Sequence, residues 1–369
     1  MPWNTLNKAY NHKDVLQRPL ESTHPNSPPQ KKYDVPLQAP ESNHVGSHAH
    51  TPQPRGIIDY MCSNEQLGEL SAGNLINDDL PQTRAVAHVW SLKTARSTNA
   101  TAEQLITSGQ WDRNGMTVIA AREQTAGRGR LDHTWFSAPD ESFTASFISA
   151  VGAGVAHDPT LNGWLQMIAG LSVLDALRET LQETNLQWVP DPVNADNSID
   201  DVKLKWPNDI VFHGRKLGGI LAQMVTLPDD PNTVAVIFGV GLNIAVPQED
   251  LPIDAATSWR LITEPADDGG RPPAERVMDL LAARTVRNLE GRLWQFGLNP
   301  HGYAQNLRKR ATEECWTLGR PILVHYMDGT TGSGIARAID ADASLAMTDD
   351  AGAERLVRTG DVGVLPVGD

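Results

Sequence analysis

Apolar residues recur every three to four positions between Leu161 and Glu183, which is the period of an α-helix. Because such a stripe covers one helix face, we predict a helix packed in the core. A second helix is predicted from Ala274 to Phe296, directly after two prolines, which a helix start tolerates better than a helix interior. The apolar stripe of the first helix consists of Trp164, Met167, Ile168, Leu171, Leu174, Leu177 and Leu181.

Alternating or continuous apolar runs elsewhere predict β-strands, and a short helix is predicted among them. This helix would run to about Ser108, with Ser97, Thr98 or Asn99 as its N-cap, since these side chains can accept hydrogen bonds from free backbone N–H groups. The predicted strands cover residues 86–92, 117–123, 142–149, 202–212, 215–226 and 233–246.

Three interruptions in these strands carry structural information. Pro207 predicts a break in its strand, because proline cannot donate a ladder hydrogen bond. Gly239 and Gly241 interrupt the apolar run at 233–246, and glycines inside a strand indicate that another group approaches the backbone closely. The pattern alone leaves the identity of that group open.

The pattern predicts an α+β fold with three regions. Residues 1–80 are rich in proline, asparagine, glutamine, serine and histidine and are predicted to be a disordered tail, because they hold too little apolar surface to form a core. Residues 81–314 are predicted to form the main domain, a mixed or antiparallel sheet flanked by helices. Residues 315–369 contain five short apolar runs separated by turns, which predicts a small SH3-like β-barrel.

Composition narrows the functional class. The 369-residue chain has a formal net charge of −14, whereas general nucleic-acid binders present a basic surface. The longest apolar run is too short to span a bilayer, and the first residues lack the apolar stretch of a signal peptide. Cys62 and Cys315 match neither a disulfide framework nor a zinc pattern. We therefore expect a cytoplasmic protein with no nucleic-acid or membrane partner.

Three groups of residues are suited to binding an anion. Residues 127–130, Gly-Arg-Gly-Arg, combine close backbone approach with guanidinium groups that match phosphate and carboxylate. The predicted hairpin adds the sequence Lys-Trp-Pro-Asn-Asp at 205–209 and a further lysine, Lys216. A pairing of Asp209 with Lys216 is also typical of an ordinary cross-strand salt bridge. With two arginines nearby, an anionic ligand is the better interpretation. No metal-ligand set can be assigned from the sequence.

Taken together, these motifs resemble those of biotin–protein ligases from about residue 85 to the C-terminus. The resemblance implies the biotin–lipoate ligase fold, a relative of class II synthetases, followed by the small barrel. The preceding segment shows no DNA-binding module, so the similarity is to monofunctional members. The motifs are Ser97-Thr98-Asn99, Gln124 with Ala126 to Arg130, Trp135 and Ser137, Lys205 to Asp209, Lys216 to Gly219, and Gly239, Gly241 and Asn243.

The resemblance implies two half-reactions. The biotin carboxylate attacks the α-phosphate of MgATP and gives biotinyl-5′-AMP and pyrophosphate. A lysine of the biotin carboxyl carrier domain of an acyl-CoA carboxylase then displaces AMP. Lys216 would bridge the carboxylate and the phosphate, Asp209 would orient Lys216 or the acceptor lysine, and Arg130 would close over the adenylate. ATP with Mg²⁺ is the implied cosubstrate, and the sequence leaves a homodimer open.

The resemblance also assigns binding residues. Buried in a protein, the ureido ring of biotin needs hydrogen-bond partners, which hydroxyl and amide groups supply without charge. The implied biotin-binding residues are Ser97, Thr98, Asn99, Gln124, Arg128, Gly129, Arg130, Lys216 and Gly219. The implied ATP- or adenylate-binding residues are Arg128, Arg130, Lys205, Asn208, Lys216, Gly239, Gly241 and Asn243.

Two departures and two alternatives accompany this interpretation. His133 stands where the family often has arginine, so ATP binding is expected to be either weaker or pH-sensitive. Residues 137–140 read Ser-Ala-Pro-Asp instead of the family's usual Ser-Pro-x-Gly. One alternative is a lipoate–protein ligase, which shares the fold but needs fewer polar groups in its pocket. The other is a non-catalytic biotin-sensing regulator, which the acidic charge disfavours.

Overall fold

The computed structural model of the chain describes residues 68–131, 133–190 and 201–365. The predicted tail lies outside the described residues as far as position 67. In the described part, the helices are α1 (Pro81–Arg84), α2 (Thr98–Thr107), α3 (Ala153–Ala156), α4 (Gly163–Glu183), α5 (Trp259–Ile262), α6 (Ala274–Leu298) and α7 (Pro300–Glu314). Short 3₁₀ turns lie at Gly68–Leu70 and Gln248–Asp250.

The described strands confirm the predicted α+β class. They are β1 (His88–Ala95), β2 (Thr117–Gln124), β3 (Gly127–Arg128), β4 (Thr134–Trp135), β5 (Ser142–Gly152), β6 (Leu186–Trp188), β7 (Lys203–Lys205), β8 (Asp209–Phe212), β9 (Arg215–Thr226), β10 (Thr233–Asn243), β11 (Thr263–Pro265), β12 (Pro321–His325), β13 (Thr331–Ile339), β14 (Leu345–Asp349), β15 (Glu354–Val357) and β16 (Asp361–Val364). The predicted break at Pro207 falls between β7 and β8.

Seven of these strands form one mixed sheet in the order β1-β2-β5-β10-β9-β8-β7. Strands β1 and β2 are parallel, and the other neighbouring pairs of this sheet are antiparallel. Phe147 and Phe238 are cross-strand partners and pack in the large core with α4 and α6. Ile148 and Ile237, one position along, pack in a smaller core with α2. Burial of both sheet faces explains why β10 is apolar almost without interruption.

Helix α4 is the core helix that the periodicity predicted. All seven residues of its apolar stripe are buried, and Trp164 is fully enclosed. The indole Nε1 of Trp164 donates to the carbonyl of Ala341, 2.8 Å away, in the C-terminal part of the chain. Helix α4 therefore joins the large sheet to the residues that follow it.

Helix α7 was not predicted, because its sequence carries little apolar periodicity. It buries three apolar residues, Ala304, Leu307 and Ala311, together with the charged Glu314 at its end. Its start is nevertheless well specified, since Asn299 accepts a hydrogen bond from Gly302 N and Pro300 occupies the first turn.

Residues just before position 81, which the sequence analysis placed in the tail, contact the main sheet. Leu70 and Leu80 are both buried, and Leu75 forms an antiparallel bridge with Leu92 on β1. Residues 68–80 are therefore packed against the main sheet, whereas composition alone assigned them to the tail. Composition could not reveal this, because two or three apolar side chains are enough to hold such a short segment on a strand edge.

The C-terminal strands form a five-stranded antiparallel sheet in the order β15-β14-β13-β12-β16, which agrees with the predicted small β domain. Its closure as an SH3-like barrel and the predicted domain boundaries stay predictions. Trp206 fixes this sheet to the main one: its Nε1 donates to Ala343 O at 3.0 Å, and its backbone N donates to Thr317 Oγ1 at 2.9 Å. Across the three described ranges, no helix combines the length and apolar character needed to cross a membrane.

Candidate active site

One cavity of about 420 Å³ lies where β2, β8, β9 and β10 meet the start of α2. Every residue that the sequence analysis assigned to biotin, to ATP or to catalysis lines this cavity. These residues are Ser97, Thr98, Asn99, Gln124, Arg128, Gly129, Arg130, Lys205, Asn208, Asp209, Lys216, Gly219, Gly239, Gly241 and Asn243. Motifs that are separated by more than a hundred residues in sequence are therefore neighbours in the fold.

One wall of the cavity carries uncharged hydrogen-bonding groups. Gln124, at the end of β2, accepts hydrogen bonds at Oε1 from the backbone N of Thr98 at 2.7 Å and from its hydroxyl at 3.1 Å. Ser146 on β5 donates its hydroxyl proton to Asn99 Oδ1, 2.7 Å away, and its Oγ also lies 2.8 Å from Thr98 Oγ1. Asn99 also donates from Nδ2 to the carbonyl of Leu221. Four side chains from three elements thus hold one another in fixed orientations.

Ser146 does not line the cavity but hydrogen-bonds two residues that do, a supporting role that the sequence analysis missed. It is fully buried, and it lies on the same face of β5 as Ile148, so it points toward α2. In sequence it is one of several serines in an alternating strand, a pattern that predicts a strand and nothing about hydrogen bonding. The role of Ser146 is apparent only in the folded structure, where its hydroxyl lies beside Thr98 and Asn99.

The cavity lining also carries a cluster of two lysines around one carboxylate, contributed by β7, β8 and β9. Lys216 Nζ lies 2.7 Å from Asp209 Oδ1, and Lys205 Nζ lies 3.7 Å from Asp209 Oδ2. Lys205 and Asp209 are register partners on β7 and β8, and a β-bulge between β8 and β9 shifts the register next to Lys216. With two ammonium groups and one carboxylate, the cluster has a net positive charge.

The predicted Gly-Arg-Gly-Arg loop forms a short hairpin of β3 and β4 over the cavity. Gly129 N donates to His133 O at 2.7 Å, and His133 N donates to Arg130 O at 3.0 Å. Arg130 Nη2 donates to the carbonyl of Gly360 at 3.4 Å. Burial lowers the pKa of the Arg130 guanidinium, and the nearby carboxylates of Asp361 and Asp209 partly offset this effect. The group remains charged, since an arginine does not lose its proton in proteins.

The C-terminal part of the chain also contributes to the cavity, which the sequence analysis did not predict. Gly360 and Asp361, at the start of β16, line it beside Arg130. His133, the departure from the family pattern, has its Nε2 3.6 Å from Asp361 Oδ2, and both side chains are exposed. No local sequence signal marks these residues, because their position depends on how the small sheet packs against the large one.

Gly239 and Gly241 make room for neighbouring parts of the protein. A Cβ on Gly239 would lie 2.2 Å from Asn99 Oδ1, and a Cβ on Gly241 would lie 2.5 Å from the indole of Trp135. Both glycines line the cavity, but what they make room for is protein: the start of α2 at Gly239 and the hairpin at Gly241. The predicted close approach is present at both positions, and the binding of ATP or the adenylate at these glycines stays a prediction.

Two further features limit the chemistry of the cavity. Asn243 is buried and donates from Nδ2 to Thr257 O at 3.0 Å, which fixes its amide at the end of β10. Within residues 68–365, apart from the undescribed positions, no group of three or more His, Cys, Asp or Glu side chains could hold a metal ion.

Comparison with known proteins agrees with this geometry. Residues 91–243 match the model of the biotin/lipoate A/B protein ligase family. Over 268 residues the chain is 35% identical to a biotin–[acetyl-CoA-carboxylase] ligase of Mycobacterium tuberculosis, a match that covers 72% of this chain and 85% of the relative. A ligase with the same description from Paracoccus denitrificans is 28% identical over 257 residues, covering 69% of this chain and 92% of that one.

Among solved structures, the biotin protein ligase from Aquifex aeolicus in complex with biotin and ATP has a TM-score of 0.53 and 20% sequence identity. The match covers 76% of this chain and 99% of that structure, and it supports the fold. The fold, the matched domain and the extent of the sequence similarity lead to one conclusion: the chain belongs to the biotin/lipoate protein ligase family.

Proposed function

We propose that this protein is a biotin–protein ligase, which uses ATP to form biotinyl-5′-AMP and transfers biotin to a lysine of a biotin carboxyl carrier domain of an acyl-CoA carboxylase. The observation that carries the proposal is that uncharged hydrogen-bonding groups and a cationic cluster line the same cavity. Biotin has the same polarity, with a neutral ureido ring at one end and a carboxylate at the other. The named function of the relatives from Mycobacterium tuberculosis and Paracoccus denitrificans supports the same activity.

The uncharged wall would bind the ureido ring. A ring of this kind offers one carbonyl acceptor and two N–H donors, and each must find a partner when water is removed. Gln124 Oε1 is already occupied by Thr98, so its amide nitrogen would be the group that faces the ligand. Thr98, Asn99 and Ser146 keep that orientation through their mutual hydrogen bonds.

Lys216 would stabilise the first chemical step. The biotin carboxylate and the α-phosphate are both anions, so their approach is opposed by charge repulsion. An ammonium group fixed between them lowers that barrier, and it costs no reorganisation when the reaction occurs. Asp209 holds Lys216 at 2.7 Å, which sets the position of the ammonium group before the substrates bind. Asp209 would therefore act by orienting Lys216.

The hairpin of β3 and β4 would protect the adenylate. Biotinyl-5′-AMP is a mixed anhydride, and water would hydrolyse it before the carrier arrived. Arg130 extends from the hairpin to Gly360 O, so the hairpin and the C-terminal sheet together bound one side of the cavity. Arg128 and Arg130 would also balance the negative charge of the phosphates.

Mg²⁺ would enter with ATP. The described residues offer no metal-binding group of three or more side chains, and Asp209 is already paired with two lysines. A magnesium ion that retains several waters and is held mainly by substrate phosphates is consistent with such a site. The absence of a nucleic-acid partner, a cytoplasmic location and a homodimer remain predictions from the sequence.

A lipoate ligase is the second candidate, because the family model covers both activities. The dithiolane end of lipoate is apolar, and it would leave the amide nitrogen of Gln124, the group proposed to face the ligand, without a partner. Unpaired buried polar groups lower affinity, so the polar wall favours biotin.

The test is incubation of the purified protein with biotin, MgATP and a carrier domain, followed by intact-mass spectrometry of the carrier. We expect one biotinyl group per carrier, and none on a carrier whose acceptor lysine is replaced by arginine. A parallel reaction with equal concentrations of biotin and lipoate decides between the two acids. A carrier of unchanged mass would refute the proposal, and a lipoyl adduct would establish the second candidate.

A further inference from the structure

The start of helix α2 carries Thr98 and Asn99, yet it lacks a cap of its own. Ser97 occupies the N-cap position with extended backbone angles, φ −158° and ψ 130°, but its side chain makes no capping hydrogen bond. The backbone N of Thr98 donates to Gln124 instead. The first turn of a helix leaves several N–H groups without intrahelical partners, so its geometry depends on groups from outside the helix.

A carboxylate from the segment before β1 supplies part of that support. Glu69 Oε1 accepts a hydrogen bond from Arg96 N at 2.8 Å, and Glu69 Oε2 accepts one from Thr101 Oγ1 at 2.6 Å. These two contacts lie on either side of residues 97–99, so one side chain holds both flanks of the triplet. Its negative charge also lies at the helix N-terminus, where the helix dipole favours an anion.

Glu69 is itself held in place by the residues that follow it. Leu70 is buried in the small core, whose other members include Leu92 and Ala102. Asn74 donates from Nδ2 to Glu69 O at 2.7 Å and to Thr94 O at 2.8 Å, and it accepts from Thr94 N at 3.1 Å. The segment 68–76 is therefore fixed to the edge of β1, and Glu69 is presented to α2 from a fixed position.

We propose that Glu69 is a positioning residue for the biotin-binding wall, acting through the backbone and side chains that flank residues 97–99. This inference rests on the proposed function of the same cavity. Loss of the Glu69 carboxylate would remove one hydrogen bond on each side of residues 97–99. Thr98 and Asn99 would then no longer be held in one orientation. The lysine and arginine side of the cavity would not change, because Glu69 makes no contact with Lys216, Asp209 or Arg130 among the described interactions.

The experiment compares wild type with Glu69→Ala, Glu69→Gln and the matched control Glu103→Ala in the carrier assay. Glu103 is an exposed glutamate on α2 whose carboxylate accepts from Gln223 Nε2 and does not line the cavity. For Glu69→Ala we expect the KM for biotin to rise about tenfold, because a small misplacement of binding groups is costly, while the KM for ATP stays within about twofold of wild type. Glu69→Gln keeps one acceptor oxygen and should fall between wild type and Glu69→Ala.

A second readout separates this inference from the proposed function. Hydrogen–deuterium exchange of the amides at 97–102 reports the order of the α2 start without any catalysis, and we expect faster exchange in Glu69→Ala than in Glu103→Ala. An inactive wild type would refute the proposed function, and the exchange comparison would still decide whether Glu69 orders this turn. An active wild type with an unchanged biotin KM in Glu69→Ala would overturn the inference. Equal rises in the KM values for biotin and ATP would also overturn it, because they would indicate a general loss of structure.

Discussion

Asp209 is the residue that balances charge in the cavity. It pairs with Lys216 at 2.7 Å and lies 3.7 Å from Lys205, and its side chain is mostly shielded from water. One carboxylate between two ammonium groups leaves the cluster with one net positive charge, in the part of the cavity where the proposed reaction would bring two anions together. A fully neutralised pair would orient Lys216 equally well but would give less attraction to a carboxylate and a phosphate.

Replacing Lys216 by alanine should therefore remove activation and leave the fold intact, because Lys216 is partly exposed at the cavity. We expect biotin-dependent exchange between ATP and pyrophosphate to fall by about 100-fold or more. The matched control is Arg215→Ala, which removes an exposed neighbouring cation that hydrogen-bonds Gln248 outside the cavity. Exchange at the wild-type rate in Lys216→Ala would show that another group supplies the charge.

Ser146→Ala should change the KM for biotin and not the rate of activation. The change removes the hydroxyl that contacts both Thr98 and Asn99 and leaves Asn99 Oδ1 without that donor. A buried acceptor left unpaired costs about 1–3 kcal/mol, so we expect the KM for biotin to rise roughly tenfold with little change for ATP. Thr144→Val is the matched control, because it removes a buried hydroxyl on the same strand that bonds Ala121 O. A similar biotin KM in the two variants would contradict the positioning role of Ser146.

At the scale of elements, strand β10 connects the two halves of the cavity. Gly239 is paired with Ser146 and makes room for Asn99 of α2, whereas Gly241 is paired with Thr144 and makes room for Trp135 of the hairpin. The two glycines lie two residues apart on the same face of β10. They determine how closely helix α2 and the hairpin approach this strand.

Replacing each glycine by alanine should therefore raise the KM for one substrate and leave the KM for the other unchanged. Gly239→Ala displaces Asn99 and should raise the KM for biotin, while Gly241→Ala displaces Trp135 and the hairpin and should raise the KM for ATP, each by about tenfold. The control is Gly152→Ala, where an added Cβ meets nothing within 4 Å. Steady-state kinetics with each substrate varied in turn measures the effect. The same change in both KM values for both variants would show that β10 does not divide the site in this way.

The elements also show how far sequence reasoning reaches. The seven-residue apolar stripe predicted α4 because a fully buried face leaves a strong period. The sequence of helix α7 shows no clear apolar period, since this helix buries few apolar side chains. The site motifs were predictable because each needs unusual residues, such as paired arginines or Lys216 near Asp209. Ser146, Glu69 and Asp361 were not predictable, because common residue types acquire a role only through long-range packing.

At the scale of the whole molecule, a charged cluster holds the junction between the large sheet and the C-terminal sheet. Glu314, the last residue of α7, is buried and accepts two hydrogen bonds from Arg178, at 2.8 and 3.1 Å. Lys203 and Arg310 lie 3.1 and 3.0 Å from the same carboxylate. The chain then enters the small sheet, whose Gly360 and Asp361 reach the cavity. Correct placement of that cavity wall depends on this junction.

The Glu314 carboxylate should make stability depend on pH. Burial alone would raise the pKa of Glu314, but hydrogen bonds and charge from Arg178 and Lys203 outweigh burial, so the pKa is lowered from 4.5 in the folded protein. Because the pKa of Glu314 is lower in the folded state, the stabilisation from its carboxylate is fully present at a pH above the pKa of this group in the unfolded chain. This stabilisation is lost as the pH falls through the pKa of Glu314 in the folded protein. The wild type should therefore lose stability steeply below about pH 4.5.

Glu314→Gln tests this linkage directly. At neutral pH we expect a loss of roughly 3 kcal/mol in the free energy of unfolding, because three cations lose their buried partner charge. The difference from wild type should shrink as the pH falls below about 4.5, since the wild-type carboxyl then becomes neutral as well. Urea unfolding at several pH values measures it, and Glu313→Gln, an exposed neighbour on α7, is the matched control. A constant difference at every pH would mean that packing, and not the charge of Glu314, holds the small sheet in place beside the cavity.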